Sequence, residues 1–212
     1  MAIDRLRAAY ASSIVVSNVT PGQAAYASGT GQSVTPYTFV GDGTAGTVNG
    51  ATYRVHRFEY NSGTAQSITF SQAGSADILL VGGGAAGGGA YHPQNSASGY
   101  AGGGGGAGGL ILLYNQAVTA TTYSATVGDR GNGTYGSAGP SGAYGSPNGG
   151  NTTFGSWTAI GGGQGGIGYT TYQPSSGGSG GGCAAGATTS TTPGTGTAGQ
   201  GNDGGPRTPD VT

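Results

Sequence analysis

The residues of this 212-residue chain best suited to recognition chemistry are aromatic, and they sit between runs of glycine. Tyr91, His92, Tyr100, Tyr135, Tyr144, Tyr169 and Tyr172 all fall in polar stretches that separate those runs. Tyrosine is a rigid, amphipathic contact residue, and neighbouring Ser, Gly and Asn add adaptable hydrogen bonds, as in antibody paratopes. Such residues can stack on a sugar ring or cover a protein loop. They can equally cap and pack a layer of glycine.

Acid–base and covalent chemistry find little to work with. The acids are few and scattered, and Glu59 is the only glutamate. Asp77, Asp129 and Asp203 are candidates to meet in space, but nothing in their spacing marks the carboxylate pair a glycan hydrolase needs. No catalytic residue is expected, and the chain reads as a non-enzyme. Cys183 is alone, which excludes an intrachain disulfide and a cysteine-based zinc site; it reads as a small buried thiol. His56 and His92 lack a His, Asp or Glu partner at metal spacing, so no metal site is expected. Asp42, within Gly-Asp-Gly, reads as a turn residue.

Residues Gly82 to Gly87 fit the dinucleotide fingerprint GxGxxG after a strand-like stretch, and Gly104 to Gly109 fit it too. No helix-forming stretch follows either match, so no cofactor is expected. Nucleic acid is a poor partner for a chain with no lysine and a net charge of -1. The arginines, Arg5, Arg7, Arg54, Arg57, Arg130 and Arg207, form no cluster along the sequence. No stretch is long and apolar enough to insert in a membrane. The opening residues lack the apolar region of a signal peptide, which leads to an expectation of synthesis in a cytoplasm and assembly into a larger particle.

Elements that would position the tyrosines read as follows. Residues 1–30 form an entry segment with a short strand at 13–17. Residues 31–81 read as a small β-domain, with strands at 37–40, 51–60, 66–71 and 76–81 forming an antiparallel sandwich. Residues 82–182 form a glycine-rich domain with loops and with strands at 110–113, 123–127 and 151–160, the last broken at Gly155. Residues 183–212 form a glycine- and threonine-rich tail. The fold class is mainly β. Phe154 and Trp157 read as core.

Glycine fills 51 positions. Its runs are Gly82, Gly83, Gly84; Gly87, Gly88, Gly89; Gly102, Gly103, Gly104, Gly105, Gly106; Gly161, Gly162, Gly163; and Gly180, Gly181, Gly182. Glycine loses the most entropy on ordering, so an ordered run needs many backbone hydrogen bonds. A bundle of polyglycine II helices provides them, because N–H and C=O groups bond to neighbouring helices where no side chain intervenes. Each helix would span about 20–28 Å at a rise of ~3.1 Å per residue, with display loops at its ends. The competing arrangement is glycine-rich loops decorating the sandwich.

A family appears in these same residues. The succession is 77–89 (Asp-Ile-Leu-Leu-Val-Gly-Gly-Gly-Ala-Ala-Gly-Gly-Gly), 102–109, 123–128 (Tyr-Ser-Ala-Thr-Val-Gly), 149–156 (Gly-Gly-Asn-Thr-Thr-Phe-Gly-Ser) and 159–163. It resembles the glycine-rich domain of bacteriophage tail proteins, the minor tail proteins and tail-fibre tip adhesins, over about residues 37–182. The resemblance implies a virion protein of the tail or fibre tip that presents receptor-binding loops on a glycine-rich scaffold. Its partners would be other virion proteins, docked through the N-terminal region, and a host surface glycan or outer-membrane protein. It would be a homo-oligomer or ride on an oligomeric fibre. The alternative is a structural virion component, such as a head fibre, capsid decoration or tail ornament, without a receptor of its own.

Overall fold

A computed structural model describes residues 13–18, 33–35, 47–48, 51–52, 55–70, 73–89, 101–133, 148–168, 173–185 and 192–207. These residues contain no helix, and their regular structure is antiparallel β. The strands are β1 (Ser13–Asn18), β2 (Ser33–Thr35), β3 (Thr47–Val48), β4 (Ala51–Thr52), β5 (Val55–Phe58), β6 (Gln66–Thr69), β7 (Gly74–Val81), β8 (Leu110–Val118), β9 (Thr122–Thr126), β10 (Thr152–Phe154) and β11 (Trp157–Ala159). One sheet has the order β2-β5-β1-β7-β8 and a second β11-β10-β9-β6; β3 and β4 form a separate pair.

Alternation builds the core between the two main sheets. On β7, Ala76, Ile78 and Leu80 are buried while Leu79 and Val81 are half-buried. Period-2 alternation of this kind buries one face of a strand. Phe58, Ile68, Phe70, Val118, Ala125, Val127, Phe154 and Ala159 complete the cluster, with Ile111, Leu113, Tyr123 and Trp157 packed against it. A run of rings crosses the second sheet: Phe70 meets Tyr123 edge-on at 5.6 Å, Tyr123 stacks on Phe154 at 5.4 Å, and Phe154 stacks on Trp157 at 6.1 Å. Phe154 is a core residue, as its strand context predicts.

Several strands differ from the sequence expectation. The stretch expected at 37–40 lies outside the described residues. Within the strand expected over 51–60, Ala51–Thr52 is β4 and Val55–Phe58 is β5, residues 53–54 lie outside the described residues, and Glu59 and Tyr60 are not in a strand. The strand beginning at Leu110 runs on to Val118 through Tyr114, Asn115 and Gln116, polar residues that read as its end. A bulge between Ala76 and Ile78 makes this possible: Asn115 takes φ +51°, and the Asp77 carboxylate accepts its N–H at 2.8 Å. The break at Gly155 is a hairpin. Gly155 opens a two-residue turn at φ +55°, a position that favours glycine.

The glycine-rich segments extend from the sandwich. N–H groups three residues apart bond to the next segment. Gly82, Ala85 and Gly88 donate to Gly109, Gly106 and Gly103. Gly162, Gly165 and Gly168 donate to Gly83, Ala86 and Gly89, and Gly103, Gly106 and Gly109 donate to Gly166, Gly163 and Ile160. Ser179, Gly182 and Ala185 donate to Ala107, Gly104 and Ala101. Falling register numbers mark antiparallel neighbours and rising ones parallel neighbours, so 82–89 and 160–168 run the same way and 102–109 runs back. Segment 160–168 is the interior of the array: it bonds to 82–89, 102–109, 148–151, 173–178 and 179–182, and Gly161, Gly162, Gly163, Gly165, Gly166 and Ile167 are buried.

Absence of a Cβ, not backbone freedom, is what glycine supplies here. Among the described residues the glycines at positive φ are Gly63, Gly155 and Gly199, none of them in a long run. A Cβ on Gly83 would overlap the Asp129 carbonyl, on Gly88 that of Gly166, on Gly106 that of Ser179 and on Gly162 that of Gly106. At Gly104 it would meet nothing within 4 Å. Ala101, Gly104, Ala107 and Leu110, three residues apart, are all exposed.

The sandwich draws β1 from residues 1–30, β2, β5, β6 and β7 from 31–81 and β8 to β11 from 82–182. Sheet and glycine segments therefore alternate along the chain. Residues 192–207 of the C-terminal stretch also run in the array: Gly180 and Cys183 donate to Asn202 and Gly205.

Candidate functional site

Each glycine segment has one end at the sandwich. Strands β7, β9 and β11 lead into 82, 127 and 160, and segments ending at 109 and 151 lead into β8 and β10. Two turns lie at this same end. Gly178 donates to Gly161 at the first, and Leu110 takes the carbonyl of Gln200 at the second, where Gly199 has φ +77°.

The described outward segments run as far as Gly89, Gly133, Gly168 and Ala185, and the described returning segments run from Ala101, Asn148, Gln173 and Thr192. Some of these residues are tied directly together. Ala101 and Ala185 exchange hydrogen bonds of 3.2 and 3.0 Å, and Gly168 donates to Gly89 at 3.1 Å. Asn148 Oδ1 accepts the Gln164 N–H at 2.9 Å. The candidate contact residues Tyr91, His92, Tyr100, Tyr135, Tyr144, Tyr169 and Tyr172 lie outside the described residues. Of their described flanks, Gly89, Ala101 and Gly168 lie at the end away from the sandwich, while Gly133 and Asn148 stand nearer to it, beside Ala86 and Gln164.

The side chains that join the array to the sandwich carry little sequence signal. Thr152 Oγ1 is buried, donates to the Val81 carbonyl at 2.8 Å and accepts the Gly128 N–H at 2.9 Å. Asn151 Oδ1 accepts the Gly161 N–H at 2.8 Å. Gln200 spans both sheets: its carbonyl takes the Leu110 N–H, its Oε1 takes the Ile160 N–H at 2.8 Å, and its Nε2 donates to the Thr158 carbonyl at 3.1 Å. An amide side chain thereby completes the outer edge of β11. Edges left open invite pairing with other chains.

The described aspartates do not gather. The carboxylates of Asp77, Asp129 and Asp203 accept the backbone N–H groups of Asn115, Arg130 and Gly196 respectively. Among the described residues no group of His, Cys, Asp or Glu is placed to hold a metal ion. Both GxGxxG matches are engaged internally. The N–H groups of Gly82 and Gly83 bond to Gly109 and Gly150, and those of Gly106 and Gly109 to Gly163 and Ile160, so they are not turned toward a phosphate.

One titratable group at the sandwich end is perturbed. The Asp129 carboxylate beside the Tyr60 hydroxyl, with a smaller contribution from burial, raises the phenol above its ordinary 10.0. A raised folded value means that the contribution to stability is complete below pH 10.0 and is lost as pH rises through the folded value. Asp129→Asn should return Tyr60 toward the ordinary value, read as an earlier phenolate absorbance in an alkaline titration. An unchanged titration curve would contradict the pairing.

A search of curated proteins and of solved structures finds no match. A family model described as "Glycine-rich domain" matches residues 59–210, a span that takes in β6 to β11 and every glycine segment. On that match, over most of its length, the chain belongs to the glycine-rich domain family.

Proposed function

We propose that this is a non-enzymatic bacteriophage virion protein of the tail or fibre tip, and that it displays loops on a glycine-rich scaffold to bind the host surface. The observation that carries the reading is the convergence at the far end. Gly89 and Ala101, which flank the stretch bearing Tyr91, His92 and Tyr100, and Gly168, which precedes Tyr169, lie together at that end, opposite the sandwich. The scaffold we read as a polyglycine II bundle. Hydrogen bonds at every third residue and glycines that exclude a Cβ on several sides support that geometry. A lattice of this kind spends its side chains at loops and seams, which leaves loop sequence free to vary. The host partner is a surface glycan or outer-membrane protein. Other virion proteins dock at the sandwich end through the N-terminal region, and the protein works as a homo-oligomer or on an oligomeric fibre.

The test is binding of the purified, labelled protein to intact host cells, in competition with phage adsorption. Saturable binding that blocks adsorption is the expected result. A folded sample in its native oligomeric state that fails to bind would overturn host recognition and leave a structural virion role.

A further inference from the structure

Two of the chain's three Asn-Gly pairs, Asn132-Gly133 and Asn148-Gly149, stand in opposite environments. Asn132-Gly133 lies in the outward segment that follows β9, and Asn148-Gly149 in the returning segment that precedes β10. In the second pair the Gly149 N–H donates to Gly162 at 2.9 Å, and the Asn148 side-chain oxygen accepts the Gln164 N–H at 2.9 Å. In the first pair both residues are exposed, and among the described residues nothing accepts the Gly133 N–H. The last register bond before it is Gly131 to Gly84, 2.7 Å.

We infer that Asn132 is a site of spontaneous deamidation and that Asn148 is protected from it by the array. The Gly133 backbone nitrogen attacks Asn132 Cγ. The Cγ–Nδ2 bond breaks, ammonia leaves and a succinimide forms. Water then opens either carbonyl, giving aspartate or isoaspartate; the net change is water in and ammonia out. Glycine at the following position permits the attack, because no Cβ obstructs the turning backbone. At Asn148 the same attack requires both hydrogen bonds to break first.

The product would matter at this place. The stretches 90–100, 134–147, 169–172 and 186–191 contain no Asp, Glu, Lys or Arg. Deamidation puts a carboxylate at the root of stretch 134–147. In the isoaspartate form an added backbone methylene shifts the spacing of the chain that carries Tyr135.

The experiment is to incubate the folded full chain at mildly alkaline pH and follow both asparagines by tandem mass spectrometry, with a urea-unfolded sample alongside. In the unfolded chain the two should convert at similar rates. In the folded chain Asn132 should convert roughly ten-fold faster than Asn148, or more, the factor expected from hydrogen bonds that must open. Gly133→Ala should slow the reaction at Asn132 without loss of fold, since its Cβ would stand at 3.6 Å from the Ala86 Cβ, an ordinary contact. Equal rates in the folded protein, or an inert Asn132, would overturn the inference.

Discussion

Gly106→Ala should destabilise the protein by about 3–5 kcal/mol, while Gly104→Ala, two residues away, should be neutral or stabilise it by up to ~1 kcal/mol. The two residues belong to the same run and are indistinguishable in sequence. A Cβ on Gly106 would drive into the backbone of Ser179 and Gly180, which have no flexible side-chain end to yield. Moving the segment away would stretch the bonds Gly106 makes to Gly163 and receives from Ala85. At Gly104 the space is open and φ lies outside the left-handed region, so alanine only removes freedom from the unfolded chain. The larger loss is a substantial part of the ~5–15 kcal/mol that holds a typical domain together. Denaturant titration of both variants measures the difference. Equal losses at the two sites would contradict the packing described here.

Gln200→Ala carries the second large effect, about 2–4 kcal/mol, because the Ile160 N–H and the Thr158 carbonyl both lose their partner at a half-buried edge. Gln200→Met keeps most of the volume and removes the amide, so it separates hydrogen bonding from packing. Both variants should lose similar stability. A Met variant as stable as the wild type would assign the role of Gln200 to packing alone.

The contrast between these two sites says what could be read from the sequence. Alternation in Ala76 to Val81 marks β7 and its buried face without any knowledge of a partner strand. The glycine runs mark an array of close-approaching backbones, because no other residue would fit. What the runs hide is which glycines face inward: Gly102 to Gly106 look alike, and only the three-residue hydrogen-bond repeat picks out Gly104 as open. Pairing across long stretches is equally silent. Nothing local in Ser13 to Asn18 says that it lies between β5 and β7, and nothing in Gln200 says that it closes an edge made by Thr158 and Ile160. A lone amide in a glycine-rich turn gives no periodic signal. The proposed contact residues are legible by type, as tyrosines among Ser, Gly and Asn. That Gly89, Ala101 and Gly168 meet at one end could be read only from the directions of their segments.

Host recognition through the far end is tested most directly by comparing two folded variants for binding to intact host cells. One replaces Tyr91, Tyr100, Tyr169 and Tyr172 with alanine. The other replaces Leu110 and Tyr114, exposed on β8, with serine. The proposed function predicts that the first variant loses binding and no longer blocks phage adsorption, and that the second binds as the wild type does. Retained binding by the tyrosine variant together with loss in the β8 variant would contradict it and move recognition to the sandwich.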